Sequence, residues 1–471
     1  MKGVELATVF IEETQKATET DIEGFFRIEI EANQKSTLVC RRIGYQESKQ
    51  RIGSTPPGIV RKLEILLIDE SLGIDIVVKD SRIKDLGMIR EETSEIKLLP
   101  SVTGNLESAL PSLALGANAG SGGELTSQYS VRGGNYDENL IYINDFEIFR
   151  PQLIRTGQQE GLTFPNIDLI KDLSFSSGGF EAKYGDKLSS VLDIRYKRPT
   201  ISRSSFMLSA LGASTHTEGS RKLWGRPFRY LVGARYKTNR YLLGSLEVVG
   251  EYQPNHADVQ TYLTYDLSDA WQIDFLSNYN ISQYNFTPES GRQAVGLIDF
   301  TINLFTVYEG QERNEFQNAM AGLALTYLPE RSKNPYFLKF LASAYNSLET
   351  ESFDILGFYR LSQIETSLGA ENAGEEIAVL GVGTQHNYAR NRLNSNIINF
   401  QHKGGYEYQL SQNGSRSHFI QWSAKVQEEI IQDNLKEWER LDSAGYSIPF
   451  SEQAVTLQEY IRSSNDISTT R

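Results

Sequence analysis

From Phe206 to Ile431 the chain is written largely in period two, and that pattern restricts it to β structure. Trp271, Ile273, Phe275, Tyr279 and Ile281 share one side of an alternating segment; Gln272, Asp274, Asn278, Asn280 and Ser282 take the other. Successive side chains of a strand point to opposite faces, so such a segment can divide hydrocarbon from a wet interior. His418–Ile430 repeats the pattern, with Ile420, Trp422, Ala424, Val426 and Ile430 against Gln421, Ser423, Lys425 and Gln427. A soluble sandwich also alternates. Length separates the two, because Asn394–Leu410 far exceeds the usual soluble strand of about 5–6 residues.

The alternation predicts about nine strands: Phe206–Thr217, Tyr230–Tyr241, Val259–Leu267, Trp271–Phe286, Val295–Tyr308, Phe316–Leu328, Pro335–Phe353, Tyr388–Leu410 and Ser417–Ile431. Short turns follow Leu328 and Leu410, and long polar stretches lie at Asp354–Asn387 and after Gln432. In a spanning barrel these belong to opposite rims. The brief turn Ser268–Ala270 leaves two options: an unusually short outer turn, or a Val295–Tyr308 segment that belongs to an external loop.

Composition removes several classes. Asp and Glu number 60 against 47 Lys and Arg, a net charge of −13, and no basic patch with interleaved aromatics suggests a nucleic-acid partner. Mean hydropathy is −0.39, and no run of apolar residues is long enough for a transmembrane helix. Spanning strands need only about 9–11 residues of alternating polarity. The 24 Tyr and 22 Phe against one Cys suit an aromatic-rich β protein without disulfides. Cys40 reads as a small buried hydrophobe.

Between Ser127 and Pro199 runs SQYSVRGGNYDENLIYINDFEIFRP, then FPNIDLIKDLSFSSGGFEAKYGDKLSSVLDIRYKRP. Four short strands fit it, Gln128–Arg132, Asn139–Phe149, Ile170–Ser176 and Val191–Lys197, each bounded by Gly- or Pro-rich turns. YSVRGG, DENLIYIND, SSGGFEAKYGDK and SSVLDIRYK stand in the order found in the plug of TonB-dependent outer-membrane receptors. The stretch resembles that family, and its Bacteroidota type most. Leu98-Leu99-Pro100 and the amphipathic Asn105–Leu113 resemble the plug's opening segment. Upstream, TETDIEGFFRIEI and RRIGY resemble the carboxypeptidase-regulatory-like domain that often precedes the plug, with its Asp21-x-x-Gly24 turn and Gly44-Tyr45 step.

The resemblance implies a mainly β chain in four parts. Residues 1–70 form a small β-sandwich; its strands are read at Ala7–Ile11, Phe25–Ile30 and Ser36–Cys40. A linker covers 71–94, a mixed α/β plug 95–200, and the first strands of a normally 22-stranded transmembrane β-barrel 201–471. The first part is either a periplasmic accessory module or a plain structural domain. In the linker, Asp75, Ile76, Val77 and Val78 match the TonB box, a strand that TonB completes by edge pairing. The alternative is a strand of the preceding domain. Arg132 and Arg195 are candidates for locking plug to barrel against acidic wall partners, or are ordinary solvated arginines. Arg150, Gln152 and Arg155, in the loop Phe149–Gly161, are candidate apical ligand contacts.

The resemblance further implies an outer-membrane location, with plug and first domain facing the periplasm. Its partners would be TonB with its inner-membrane energising complex, outer-membrane lipid, an unknown small ligand or oligomer, and room for a surface lipoprotein. A plugged barrel acting as adhesin or signal receptor is the rival reading, and a soluble multi-domain β protein a third. Nine strands do not enclose a plug of this size, since plugged transporters have about 22, and Met1 is followed by no signal-peptide h-region. Both suggest a fragment with an internal start that alone would neither insert nor transport.

Catalytic motifs are lacking. The five histidines, His216, His256, His386, His402 and His418, form no HExxH, and one Cys makes no CxxC zinc site. There is no nucleophile elbow and no Walker loop. Gly133-Gly134 without a following helix reads as a tight turn rather than a phosphate loop. No enzymatic activity, cofactor or metal is expected, and the substrate is not legible.

Overall fold

The computed structural model describes residues 7–41, 48–67, 88–92, 116–119, 129–149, 164–238, 250–329, 336–409, 417–441 and 458–470, with residues 106, 110 and 111. Excepted within those ranges are 15, 22, 66, 135–137, 179–183, 186–188, 298–299 and 368. Two compact units result, Met1–Lys79 with Arg198–Ile201, and Asp80–Lys197 with Ser202–Arg471. Among the described residues no helix is long and apolar enough to cross a membrane.

In the first unit, β1 (Thr8–Ile11), β2 (Ala17–Glu19), β3 (Ser36–Arg41) and β4 (Ser48–Ile52) form one antiparallel sheet in the order β2-β1-β3-β4. Its core is Ala7, Val9, Ile11, Leu38, Cys40 and Ile52. The expected strand Phe25–Ile30 joins no sheet among the described residues; Phe26, Ile28 and Ile30 lie against the core, as do Leu63, Ile65 and Leu67. Among the described residues, neither stretch joins a ladder. The Asp21–Gly24 turn is built as its sequence suggests. Asp21 Oδ1 accepts from the amides of Glu23 (3.1 Å) and Phe25 (2.9 Å), and Gly24 adopts φ +83°. Cys40 is buried, and burial raises its thiol pKa.

The second unit contains two sheets that matter. The smaller, the plug, uses β5 (Met88–Glu92), β8 (Asn139–Ile143), β9 (Phe146–Glu147), β10 (Ile170–Ser176) and β11 (Ser190–Tyr196), with β6 (Ala117–Ala119) and β7 (Tyr129–Val131) paired beside it. The order is β5-β10-β11-β8-β9, with β8 and β11 parallel. Leu106 and Leu110, in helical backbone, are fully buried in the same core. The expected strand Asn139–Phe149 is broken by a two-residue turn at Asn144 (φ 50°) and Asp145 (φ 73°). Positive φ at both central positions defines a type I′ hairpin, where Asn and Asp are the most tolerant residues after Gly. Arg132 (φ 52°) and Gly133 (φ 80°) make a second such turn, closed by Gly134 N donating to Val131 O at 2.9 Å. Gly134 is closely packed, since a Cβ there would lie 2.3 Å from Ser189 Oγ.

The larger sheet is the wall. Its strands are β12 (Arg203–Ser209), β13 (Gly212–Leu223), β14 (Arg226–Thr238), β15 (Gly250–Asp266), β16 (Trp271–Pro288), β17 (Gly291–Leu297), β18 (Phe300–Tyr327), β19 (Tyr336–Ile364), β20 (Glu376–Gln409), β21 (Ser417–Leu441) and β22 (Gln458–Thr470). They pair antiparallel in sequence order from β12 to β22, with β17 folded onto the far end of β18. The count is eleven among the described residues rather than nine. Phe206–Thr217 is two strands split at Ala210–Leu211, and the stretch expected as a loop, Asp354–Asn387, is mostly the continuation of β19 and β20. Its alternation is weak because apolar residues fall on both parities there, Ile355, Tyr359 and Leu361 on one and Leu356, Phe358 and Ile364 on the other. The rim question resolves toward the second option: Ser268–Ala270 shares a rim with the turn at Trp224–Gly225, and Val295–Tyr308 is the β17–β18 excursion at the opposite rim.

Burial along β16 inverts the soluble rule. Gln272 is 0% exposed and Asn280 2%, whereas Tyr279 is 50% exposed. The polar side faces the plug and the apolar side faces out. Following the cross-strand registers, the outward residues of β20 are Tyr406, Gly404, His402, Phe400 and Ile398, then polar Asn396 and Asn394. On β18 they are Tyr327, Leu325, Leu323, Ala321 and Ala319, then Gln317 and Glu315. On β15 they run from Tyr265 to Ala257 before Asn255. Each apolar stretch covers nine residues, about 26 Å at 3.3 Å per residue. One border is aromatic: Trp271 and Tyr327 lie 4.6 Å apart by ring centroid, Tyr327 and Tyr336 5.9 Å, and Trp224 and Tyr265 6.2 Å.

Candidate functional site: the seam between plug and wall

One apolar core joins the two sheets. Plug residues Ile141, Ile143, Phe146, Leu169 and Leu173 share it with wall residues Leu231, Tyr262, Leu276, Met320, Leu341 and Tyr345. Glycines let the wall come close. A Cβ on Gly322 would sit 2.6 Å from Phe146 Cε1, and one on Gly233 2.8 Å from Asn166 Nδ2.

Polar contacts hold the plug on two sides, with different chemistry. At the tip of the β8–β9 hairpin, the Asp145 carboxylate accepts from Lys339 of β19 at 2.5 Å and from Lys403 of β20 at 3.2 Å. Lys339 and Lys403 are direct cross-strand partners, and like charges facing each other across a ladder repel. The plug carboxylate accepts from both and offsets part of that repulsion. Burial works to raise the Asp145 pKa. The ammonium groups of Lys339 and Lys403, the hydrogen bond from Lys339 and the charge of Arg195 outweigh it and hold the carboxyl well below the usual range. Lys425 of β21 continues the row, donating to Glu147 at 2.6 Å. Lys403 also lies over the Tyr142 ring and Lys425 over the Phe149 ring, each a further attraction where solvent is reduced.

On the other side the grip is a hydrogen-bond cluster. Arg235 of β14 forms a fork with Asp258 of β15 (2.9 and 2.5 Å) and donates to the plug carbonyls of Pro165 (3.0 Å) and Phe164 (3.3 Å). Gln260 donates to the Phe164 carbonyl at 2.6 Å and accepts from the Tyr196 hydroxyl at 2.5 Å. A fork-shaped guanidinium suits this role because it serves carboxylate and carbonyls together. Burial raises the Tyr196 hydroxyl pKa, so it stays a donor.

The two lock candidates fall elsewhere. Arg132 arches over plug turns: a Cβ on Gly116 would meet its Cγ at 3.2 Å and one on Gly178 its Nη1 at 3.0 Å. It makes no ion pair among the described residues. Arg195 lies on β11, beside Asp172 in register, and its charge reaches Asp145. The polarity is the reverse of the expected one, since the plug supplies the carboxylates and the wall the lysines. A signal existed in the sequence: Lys339, Lys403 and Lys425 all fall on the inward parity of their strands. Asp75, Ile76, Val77 and Val78 lie outside the described residues, as do Arg150, Gln152 and Arg155. Among the described residues no group of three His, Cys, Asp or Glu is placed to hold a metal ion.

Residues 1–78 match the model of the CarboxypepD_reg-like domain. That match passes the expected boundary at residue 70 and takes in Asp75–Val78. No curated protein matches the chain significantly. Among solved structures, the siderophore receptor PirA from Pseudomonas aeruginosa is 12% identical, over 76% of this chain and 89% of that one, with a TM-score of 0.31. PirA from Acinetobacter baumannii is 12% identical over 82% and 77%, at 0.32. The ferric yersiniabactin uptake receptor FyuA from Yersinia pestis is 10% identical over 82% and 70%, at 0.35. At such scores the functional reading rests on the chain's own geometry.

Proposed function

We propose that this chain belongs to a TonB-dependent receptor of the Bacteroidota type, which takes up a scarce ligand across the outer membrane using energy from the inner membrane. One observation carries the reading: a β wall with an apolar band outside and a polar face inside, onto which a separate small sheet is clamped by ion pairs. A plug held by apolar packing alone would resist displacement. Here the shared apolar core secures the plug at rest, and the ion pairs add contacts that exchange protein partners for water at modest cost.

In this reading, ligand binds outer loops and the plug apex, where Arg150, Gln152 and Arg155 are the candidates. A surface lipoprotein is a compatible partner. TonB then pairs with Asp75–Val78 as an added strand and pulls. No covalent chemistry is required. The test is binding of the purified TonB periplasmic domain to the protein and to Ile76→Pro, followed by calorimetry. Proline removes the amide that strand addition needs. Binding by the parent and its loss in the variant support the reading; equal binding by both, or none by the parent, contradicts it.

A further inference from the structure

The outward face of the wall carries a concavity beyond its apolar band. There β18, β19 and β20 enclose a cavity of about 520 Å³, within the range of about 300–1,000 Å³ usual for small-ligand pockets. Its side chains share one parity. Glu309, Gln311 and Arg313 of β18 pair with Leu356, Asp354 and Ser352 of β19, and these pair with His386, Tyr388 and Arg390 of β20. Ala319, Leu323 and Phe400 of the apolar band have the same parity, so the pocket opens away from the plug. Arg313 and Glu309 stand six and ten residues beyond Ala319, about 20 and 33 Å along the strand. With the strand tilt of a barrel, that is roughly 15–25 Å above the band. Gly310 shapes the concavity. It adopts φ +100°, and a Cβ there would run into the Asp354 carbonyl oxygen, so only glycine allows this approach of β18 to β19.

Part of the lining is fixed in place. The two Asp354 carboxylate oxygens are held by His386 Nε2 at 2.7 Å and by Arg390 Nη2 at 3.5 Å. Arg390 also donates to the carbonyls of Phe353 (2.9 Å) and Ala389 (2.7 Å) and lies 4.5 Å over the Tyr388 ring. Tyr388 stacks on Trp438 of β21 at 4.8 Å, and Arg440 covers Trp438 at 4.1 Å. The rest of the lining is open. Glu309, Gln311, Arg313 and Ser352 have no side-chain hydrogen bond or ion pair among the described residues. Charges balance, with Glu309 and Asp354 against Arg313 and Arg390. Along β18 an acceptor, an amide and a donor follow one another at about 7 Å intervals, and Leu356 adds one apolar contact.

We propose that this pocket is a saccharide site on the outside of the wall, taking an uncharged sugar unit. A phosphate or a cationic ligand would meet a like charge from one of the two pairs. A sugar hydroxyl both donates and accepts, which suits an open row of carboxylate, amide and guanidinium, and a C–H face of the ring suits Leu356. The fixed Asp354–His386–Arg390 group spares the ligand the cost of ordering those side chains. The sugar belongs either to a glycolipid of the surrounding leaflet or to a free oligosaccharide. The site rests on the outward parity of the wall and not on uptake, since its occupant binds whether or not the plug moves.

The test uses protein purified from cells carrying the native gene, and saturation-transfer NMR. The probes are millimolar methyl glycosides of glucose, galactose, mannose and N-acetylglucosamine, and the outer-leaflet glycolipid of the same cells, intact or stripped of its acyl chains. At least one probe should bind. Glu309→Gln and Arg313→Gln, both at exposed positions, should each weaken it at least about tenfold, the loss of one charge-assisted hydrogen bond. Glu312→Gln, on the opposite parity at the same height, should leave it unchanged. Binding of the intact glycolipid well above its stripped form identifies a membrane source; binding of the free glycosides alone identifies a soluble one. No binding by any probe, or binding that both pocket variants leave intact, overturns the site. Displacement by inorganic phosphate, with loss in Arg313→Gln but not in Glu309→Gln, overturns the sugar. Loss in Glu312→Gln alone moves the ligand to the lumen, which overturns the outward site and leaves the uptake reading standing.

Discussion

Replacing Asp145 by Asn should loosen the plug without unfolding the wall. The substitution keeps size and removes the charge that two lysines share. It removes the negative charge and one of the two acceptor oxygens, and so weakens two charge-assisted hydrogen bonds, each about 1.5–3 kcal/mol when well formed. The Asp145 side chain is 42% exposed, so solvent screening reduces the pair to about 2–3 kcal/mol in total. It also leaves Lys339 and Lys403, 12% and 19% exposed, facing each other without the carboxylate they share. Hydrogen exchange reads the effect directly. The amides of Asn144 and Ile148, bonded to the carbonyls of Ile194 and Ile141, should exchange about 30- to 150-fold faster, at tenfold per 1.4 kcal/mol. The β18–β19 ladder should not change. Adding Lys403→Gln to Asp145→Asn should recover part of the protection by removing the repulsion. A change under threefold at Asn144 and Ile148, or an equal change throughout the wall, refutes the assignment of the lock.

Other outcomes follow from the same geometry. The folded pKa of Asp145 lies below its unfolded value, so its contribution is complete above the unfolded pKa and is lost as pH falls through the folded one. Plug protection should therefore be flat from neutral pH down to about 4, the ordinary carboxylate range, and fail only below, by exchange measured across pH. Gly322→Ala should cost about 1–3 kcal/mol of overpacking against Phe146, seen as faster exchange at Phe146, and Phe146→Leu should relieve it. Arg235→Lys cannot reproduce the fork or reach both carbonyls, so proteolysis near Phe164 should rise while ladder protection holds. Phe400→Arg, on the outward face, should cost about 2–4 kcal/mol of stability in a bilayer, whereas the same change in a lumen-facing position of β20 costs much less; denaturant titration in vesicles decides it.

Much of this was readable from residues. The parity of Trp271–Ile281 tells the outward side of the wall from the inward side, because successive residues of a strand point to opposite faces. The Asn144-Asp145 turn is latent in IYINDFE, but alternation continues through a two-residue hairpin and hides it. The lock escaped because it is a matter of register: Lys339, Lys403 and Lys425 lie far apart in sequence and meet only when β19, β20 and β21 pair. A plug arginine was the conspicuous charge, yet Arg132 is spent on bracing turns over Gly116 and Gly178. The strand extensions through Asp354–Asn387 were hidden for a different reason. Apolar residues such as Ile355, Leu356, Phe358 and Leu361 fall on both parities there, and polarity stops reporting which way a side chain points.

The central claim is that the wall divides hydrocarbon from a plugged, polar interior. The most direct measurement is a spin-label scan of β18 from residue 319 to 327, on protein purified from the membrane of cells carrying the native gene and returned to vesicles. Collision with oxygen, which concentrates in lipid, should peak at 319, 321, 323, 325 and 327. The even positions should be shielded from oxygen and from a water-soluble nickel chelate while the plug is seated. Loss of the two-residue period, or chelate access at the odd positions, would contradict the account.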